Sequence, residues 1–150
     1  MIKFSNTKPA ITDADLNGVE KRFAFRFPPE FRELYLRTNG GTPDPNRFVD
    51  KKGSCIVHEF LPIKYAGTGI STVERSIQRL KVEQALLPEH LVQFAVDPGG
   101  DYYCFSIRPD EVGAIYLFHM DRYHEPERAV EYLAGSLGEF LSELKRKGEV

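Results

Sequence analysis

The stretch that most constrains this chain is residues 91–119, where three short apolar runs alternate with two clusters of turn-forming residues. The runs are 91–96, 102–107 and 114–119. Asp97-Pro98-Gly99-Gly100-Asp101 separates the first two, and Arg108-Pro109-Asp110 with Gly113 separates the second two. Proline presets one backbone angle, glycine supplies positive φ, and aspartate bonds its own backbone, so both clusters favour tight reversals. Connections this short join antiparallel neighbours. A three-stranded antiparallel meander is predicted.

Helical patterns flank it. Thr12 and Asp15 have the spacing of a capping box, Ile11 and Leu16 that of a hydrophobic staple, and Leu16, Val19 and Phe23 recur at helical steps. Pro28-Pro29 suits the first turn of a second helix with Phe31, Leu34 and Tyr35 as its buried stripe, and Asn39-Gly40-Gly41 is read as its C-cap. A phosphate loop at that glycine pair is disfavoured, because such loops open helices. Residues 42–53, rich in proline, turn formers and charge, are expected to form an exposed loop, and 55–60 a short strand. Ser71 and Glu74 match a capping box for a third helix over 72–85, bearing Val73, Ile77, Leu80 and Gln84 on one side. Ser136 and Glu139 repeat that spacing before Leu137, Phe140, Leu141 and Leu144, with Lys145-Arg146-Lys147 as the last turn. Residues 120–135 are the least readable, and Ala129, Val130 and Leu133 permit a short helix after Pro126. The expected fold class is α+β: one domain over 1–150, with a central antiparallel sheet, an N-terminal helix pair, a middle helix and a C-terminal helix packed on it.

At 150 residues the chain is long enough to bury a core without disulfides or a metal staple. Its net charge of −2 lacks the cationic footprint of a dedicated nucleic-acid binder, so no direct nucleic-acid partner is expected. Charge is uneven along the chain. Residues 97–143 hold ten carboxylates against three arginines. Such a run either solvates a surface or meets a basic partner. Asp97, Asp101, Tyr102, Asp110, Glu111, Asp121, Tyr123, Glu125 and Glu127 are the candidate contacts, since tyrosines among carboxylates suit a cationic partner; Tyr103 and Tyr116 lie in the same stretch. Two cysteines, no apolar leader and no long apolar run predict a cytoplasmic protein with free thiols and no membrane partner.

Catalytic chemistry finds little footing. Cys55 and Cys104 make no CxxC pair, and His58, His90, His119 and His124 have no zinc-ligand spacing, so no metal or other cofactor is expected. Cys104 sits within Tyr-Tyr-Cys-Phe-Ser, where core packing is the simpler reading than an activated thiol. Asp97 and Asp101 alone are weak ground for acid–base chemistry.

Three stretches together resemble the SUKH superfamily, the Knr/Smi-like domains. They are Phe27-Pro28-Pro29-Glu30-Phe31-Arg32-Glu33-Leu34-Tyr35 leading to Asn39-Gly40-Gly41, then Phe94-Ala95-Val96-Asp97-Pro98-Gly99-Gly100-Asp101 with Phe105, and finally Leu133-Ala134-Gly135-Ser136-Leu137-Gly138-Glu139-Phe140-Leu141. Pro28, Asn39, Gly40, Gly41, Gly100, Asp101, Ser136 and Phe140 carry the motif, which covers about residues 11–145. Phe27 stands where the family has leucine, and Leu137 where it has an aromatic residue. The resemblance implies a non-enzymatic protein-binding domain. Many of its bacterial members look like immunity proteins that neutralise secreted polymorphic toxins, often nucleases or deaminases, and its fungal members act as regulatory adaptors. The expectation is an immunity protein occluding a toxin with a basic surface, with an intracellular adaptor as the alternative and a small enzyme as the outside reading.

Overall fold

The computed structural model describes residues 2–50, 53–67, 69 and 71–146. Its centre is a five-stranded antiparallel meander in the order β5 (Glu59–Phe60), β6 (Leu91–Val96), β7 (Tyr102–Ser106), β8 (Ile115–Phe118) and β9 (Val130–Ala134). The α+β class is therefore as the sequence predicts, with the three expected strands at the middle of the sheet. A smaller sheet joins β10 (Leu144–Lys145), β3 (Arg47–Asp50) and β4 (Gly53–Ile56), and β1 (Lys3–Ser5) pairs with β2 (Thr42–Asp44).

One face of the meander carries Val92, Phe94, Tyr103, Phe105, Ile115 and Leu117 into the main core. Against it lie α1 (Asp13–Phe23), α2 (Pro29–Arg37) and α5 (Leu137–Ser142) through Leu16, Val19, Phe31, Leu34, Tyr35, Leu137 and Phe140. Phe31 sits between Phe94 and Phe105, with ring centroids 4.8 and 4.4 Å away. Aromatic contacts of this kind add about 0.5–1.5 kcal/mol each beyond the area they bury. The opposite face is only partly covered. There Leu80, Leu87, Leu91, Cys104, Phe118 and Ala129 form a smaller cluster, with Tyr102, Tyr116 and Val130 partly buried beside it.

Local signals fixed the helix starts. The Thr12 hydroxyl accepts from Asp15 N at 3.3 Å while Asp15 Oδ2 accepts from Thr12 N at 3.0 Å, a complete capping box. Ser136 caps α5 by accepting from Glu139 N at 3.1 Å, but Glu139 turns its carboxylate to Gly135 N instead of closing the box.

Several expectations are corrected. Residues 42–53 are not a loop: they contain β2 and β3 and open β4, and Lys51 and Lys52 lie outside the described residues. The 55–60 segment splits at Val57-His58, giving β4 to the small sheet and β5 to the large one. The third helix is an α-helical turn, α3 (Val73–Ile77), continuing as a π-helix over Gln78–Glu83; Gln84 lies past its end and is exposed. Its cap lies one residue past Ser71, at Thr72, whose hydroxyl accepts from Arg75 N at 3.1 Å, and the Glu74 carboxylate accepts from Lys64 N at 2.8 Å instead of closing a box. The last helix stops at Ser142, after which Leu144–Lys145 pairs with Phe48 and Arg47 as β10. That strand is secured by Phe48 stacked on Phe140, centroids 5.2 Å apart, so Lys145 and Arg146 are not helical and Lys147 lies outside the described residues. Finally, 120–135 holds a 3₁₀ turn (Met120–Arg122), the short helix α4 (Pro126–Ala129) and the fifth strand β9.

Asn39-Gly40-Gly41 also does something other than capping. Thr38, in extended geometry, ends α2. The motif instead binds the rim of the large sheet: Gly41 and Phe60 exchange both backbone hydrogen bonds, at 3.1 and 2.8 Å. The buried Asn39 amide donates to Pro9 O and Ile63 O, and its carbonyl accepts from Ile63 N at 2.7 Å. Gly40 and Gly41 have φ of 72° and 116°, and a Cβ on Gly41 would come within 2.6 Å of Ser5 O.

Candidate partner-binding surface

The nine nominated contacts divide between the two ends of the meander. Asp97, Asp101, Tyr102, Asp121, Tyr123, Glu125 and Glu127 lie where the β6–β7 turn meets the β8–β9 connection, whereas Asp110 and Glu111 lie in the β7–β8 turn. Five residues of β7 separate the ends, a span of roughly 17 Å. The acidic stretch is thus two patches.

At the first end the turn is built by Asp97, whose Oδ1 accepts from Gly99 N at 2.9 Å and Asp101 N at 2.8 Å. Asp101 Oδ1 accepts from Met120 N at 2.9 Å, and its Oδ2 lies 3.4 Å from His119 Nδ1. The other ring nitrogen of His119 lies 3.0 Å from Glu131 Oε1. Asp101, His119 and Glu131 therefore tie the β6–β7 turn, the end of β8 and β9 together. Asp97 and Asp101 serve architecture. Tyr102 is also engaged, its hydroxyl accepting from Arg79 at 3.1 Å. The outward groups are the exposed Asp121 and Glu127, the 51% exposed ring of Tyr123 packed edge-on to His124, and half-buried Glu125, which pairs with Arg128 at 3.1 Å.

At the second end Asp110 is exposed, while Glu111 Oε1 accepts from the Tyr116 hydroxyl at 2.8 Å. Partial burial works against the Glu111 carboxylate. The nearby Ser106 hydroxyl, the hydrogen bond from Tyr116 and the charges of Arg108 and His90 outweigh it and hold the carboxyl below its ordinary range. Burial first and Glu111 second push the Tyr116 phenol up to about 12.

Tyr103 is withdrawn from any contact role: it is fully buried, and its hydroxyl donates to Ile56 O at 2.8 Å. Cys104 is likewise in the core, where burial pushes its thiol far above the usual range and keeps it protonated. Among the described residues, no three His, Cys, Asp or Glu side chains converge as a metal site. A groove of about 460 Å³ is walled by Phe23, Phe25, Ile77 and Ile107 with Arg22, Lys81 and Glu89 at its sides. Burial lowers the Lys81 ammonium pKa, and its Nζ donates to Glu89 O at 3.0 Å.

Sequence reading missed Tyr132 and Glu131, because residues 120–135 gave no clear period. Tyr132 is 55% exposed and meets Tyr116 edge-to-face across β8 and β9, with centroids 5.6 Å apart. The usable signal was the run Val130-Glu131-Tyr132-Leu133, whose β-branched and aromatic members favour a strand.

Helices packed on an antiparallel meander, with an acidic and tyrosine-bearing remainder, make an α+β protein. The chain belongs to the SMI1 / KNR4 family (SUKH-1), whose model matches residues 10–143. No curated protein sequence gives a significant match. Among the described residues no helix is long and apolar enough to cross a membrane.

Proposed function

We propose that this chain is a non-enzymatic immunity protein of the cytoplasm that binds and occludes a toxin domain bearing a basic surface. The observation that carries the reading is the outward trio at one end of the meander, Asp121, Tyr123 and Glu127, where an exposed aromatic ring stands between carboxylates. Exposed charges act over about 8 Å at physiological salt, so such a patch speeds encounter and selects a partner it touches. The family supports a protein partner in general. A toxin's substrate groove for nucleic acid is basic, and a surface that covers it competes with the substrate.

Co-expression with the products of the adjacent genes tests the reading, with growth rescue and co-purification as outcomes. Asp121→Lys with Glu127→Lys is expected to weaken that complex at least tenfold in calorimetry without changing the thermal midpoint. Neither carboxylate forms an ion pair within the described residues, so charge reversal there leaves the fold intact. Rescue that is indifferent to both substitutions would refute the acidic surface as the contact. Binding without rescue would favour the adaptor reading.

A further inference from the structure

β9 ends the five-stranded sheet, and its outer side is open. In an antiparallel ladder, alternate residues turn their backbone groups toward the neighbouring strand and the others turn away. His119 N donates to Ala129 O at 2.7 Å, so Ala129 and, two residues on, Glu131 face β8. Val130 and Tyr132 consequently direct their N–H and C=O groups outward. Among the described residues no backbone or side-chain group bonds to them from that side. An uncovered strand edge of this kind is a template for another chain.

Two features specify the occupant. Residues 119–143 hold six carboxylates, Asp121, Glu125, Glu127, Glu131, Glu139 and Glu143, against Arg122 and Arg128. Arg128 and Glu125 pair with each other and Glu131 lies against His119, which leaves Asp121, Glu127, Glu139 and Glu143 against Arg122. A second copy laid edge to edge on β9 would oppose two acidic flanks, which costs free energy, whereas a cationic strand would be drawn in. The side chains of β9 also differ by face: Tyr132 stands with Tyr116 on the open face, and Glu131 on the other beside His119.

We propose that β9 takes an extended segment of a protein partner as a sixth strand, with lysine or arginine alternating with apolar residues, the apolar ones packing on Tyr132 and Tyr116. This rests on the proposed protein-binding role and specifies how contact is made. Main-chain hydrogen bonds supply affinity in strand addition, and alternate side chains supply selection.

The test is a nuclear magnetic resonance titration of the isotope-labelled chain with an end-blocked peptide of alternating lysine and valine. The expected result is protection of the Val130 and Tyr132 amides from exchange, with cross-strand contacts to Tyr132. N-methylation of the peptide backbone on one edge is expected to weaken binding about tenfold, and exchanging lysine for glutamate to abolish it. Tyr132→Pro, which removes an outward N–H, should behave as the methylated peptide does. Shifts confined to 121–127 with silent β9 amides, or equal binding by the methylated peptide, would overturn strand addition while leaving the acidic surface standing. Equal binding by the glutamate peptide, or none by the lysine peptide, would overturn the proposed occupant; toxin co-expression judges the immunity role separately.

Discussion

The two edges of the five-stranded sheet are finished in opposite ways. At β5, Gly41 pairs with Phe60, Asn39 holds Pro9 and Ile63, and the Tyr35 hydroxyl donates to Leu61 O at 2.9 Å. At β9 no such strap exists among the described residues, and Tyr132 stands half in solvent. The contrast separates two kinds of constraint on one fold. Residues at the closed edge are held by hydrogen bonds and close backbone approach, so substitutions there are expected to act on stability. Residues at the open edge have few internal partners, so substitutions there are expected to act on recognition.

Four substitutions sharpen or break this contrast. Gly41→Ala is expected to cost the most, about 3 kcal/mol or more in urea unfolding, since it adds a Cβ at positive φ against Ser5 O. Asn39→Ala comes next at about 2–3 kcal/mol, because it strands the buried Ile63 N–H and takes the side-chain donor from Pro9 O. Tyr132→Ala at the open edge should change stability by no more than about 0.5–1 kcal/mol, chiefly its ring contact with Tyr116. A cost there matching Asn39→Ala would erase the distinction.

The smallest effect concerns pH. Glu111 has a folded pKa below its ordinary value near 4.5, so its contribution to stability is present above that value and is lost as pH falls through the lower, folded one. Tyr116→Phe removes the hydrogen bond that helps hold the carboxylate ionised. Urea midpoints followed from neutral to acid pH should then fall less steeply than in the parent chain.

What could be read from the sequence was what is local. The Thr12 capping box, the proline start of α2 and the two turns of the meander each lie within a few residues, and all are present. The strands that escaped notice are short and paired over long separations: Lys3 with Asp44, Leu144 with Phe48. No period can emerge from three residues, and their partners are invisible without the fold. β9 was hidden for another reason. Its outer edge is unpaired and both faces mix polar with apolar residues, so Val130-Glu131-Tyr132-Leu133 shows neither a clean alternation nor a continuous apolar run.

The candidate surface was legible as composition and not as shape. Ten carboxylates in one stretch suggested a continuous acidic face, but Asp97, Asp101 and Glu131 are spent on turns and on His119, and Asp110 with Glu111 sits a strand's length away. Formal charge per segment cannot distinguish a carboxylate that faces a partner from one that holds a loop. Asp121 and Glu127 are exposed and hold no loop, and both lie in the connection that leads into the strand whose edge is open.

The closure of β5 has a consequence for assembly. A sheet with two free edges can propagate, each added chain offering the next a place to pair, and open-ended polymers follow. With Gly41 occupying one side, the five-stranded sheet can be extended only past β9. A partner strand there would terminate growth after a single addition, giving a complex of fixed stoichiometry instead of a fibre.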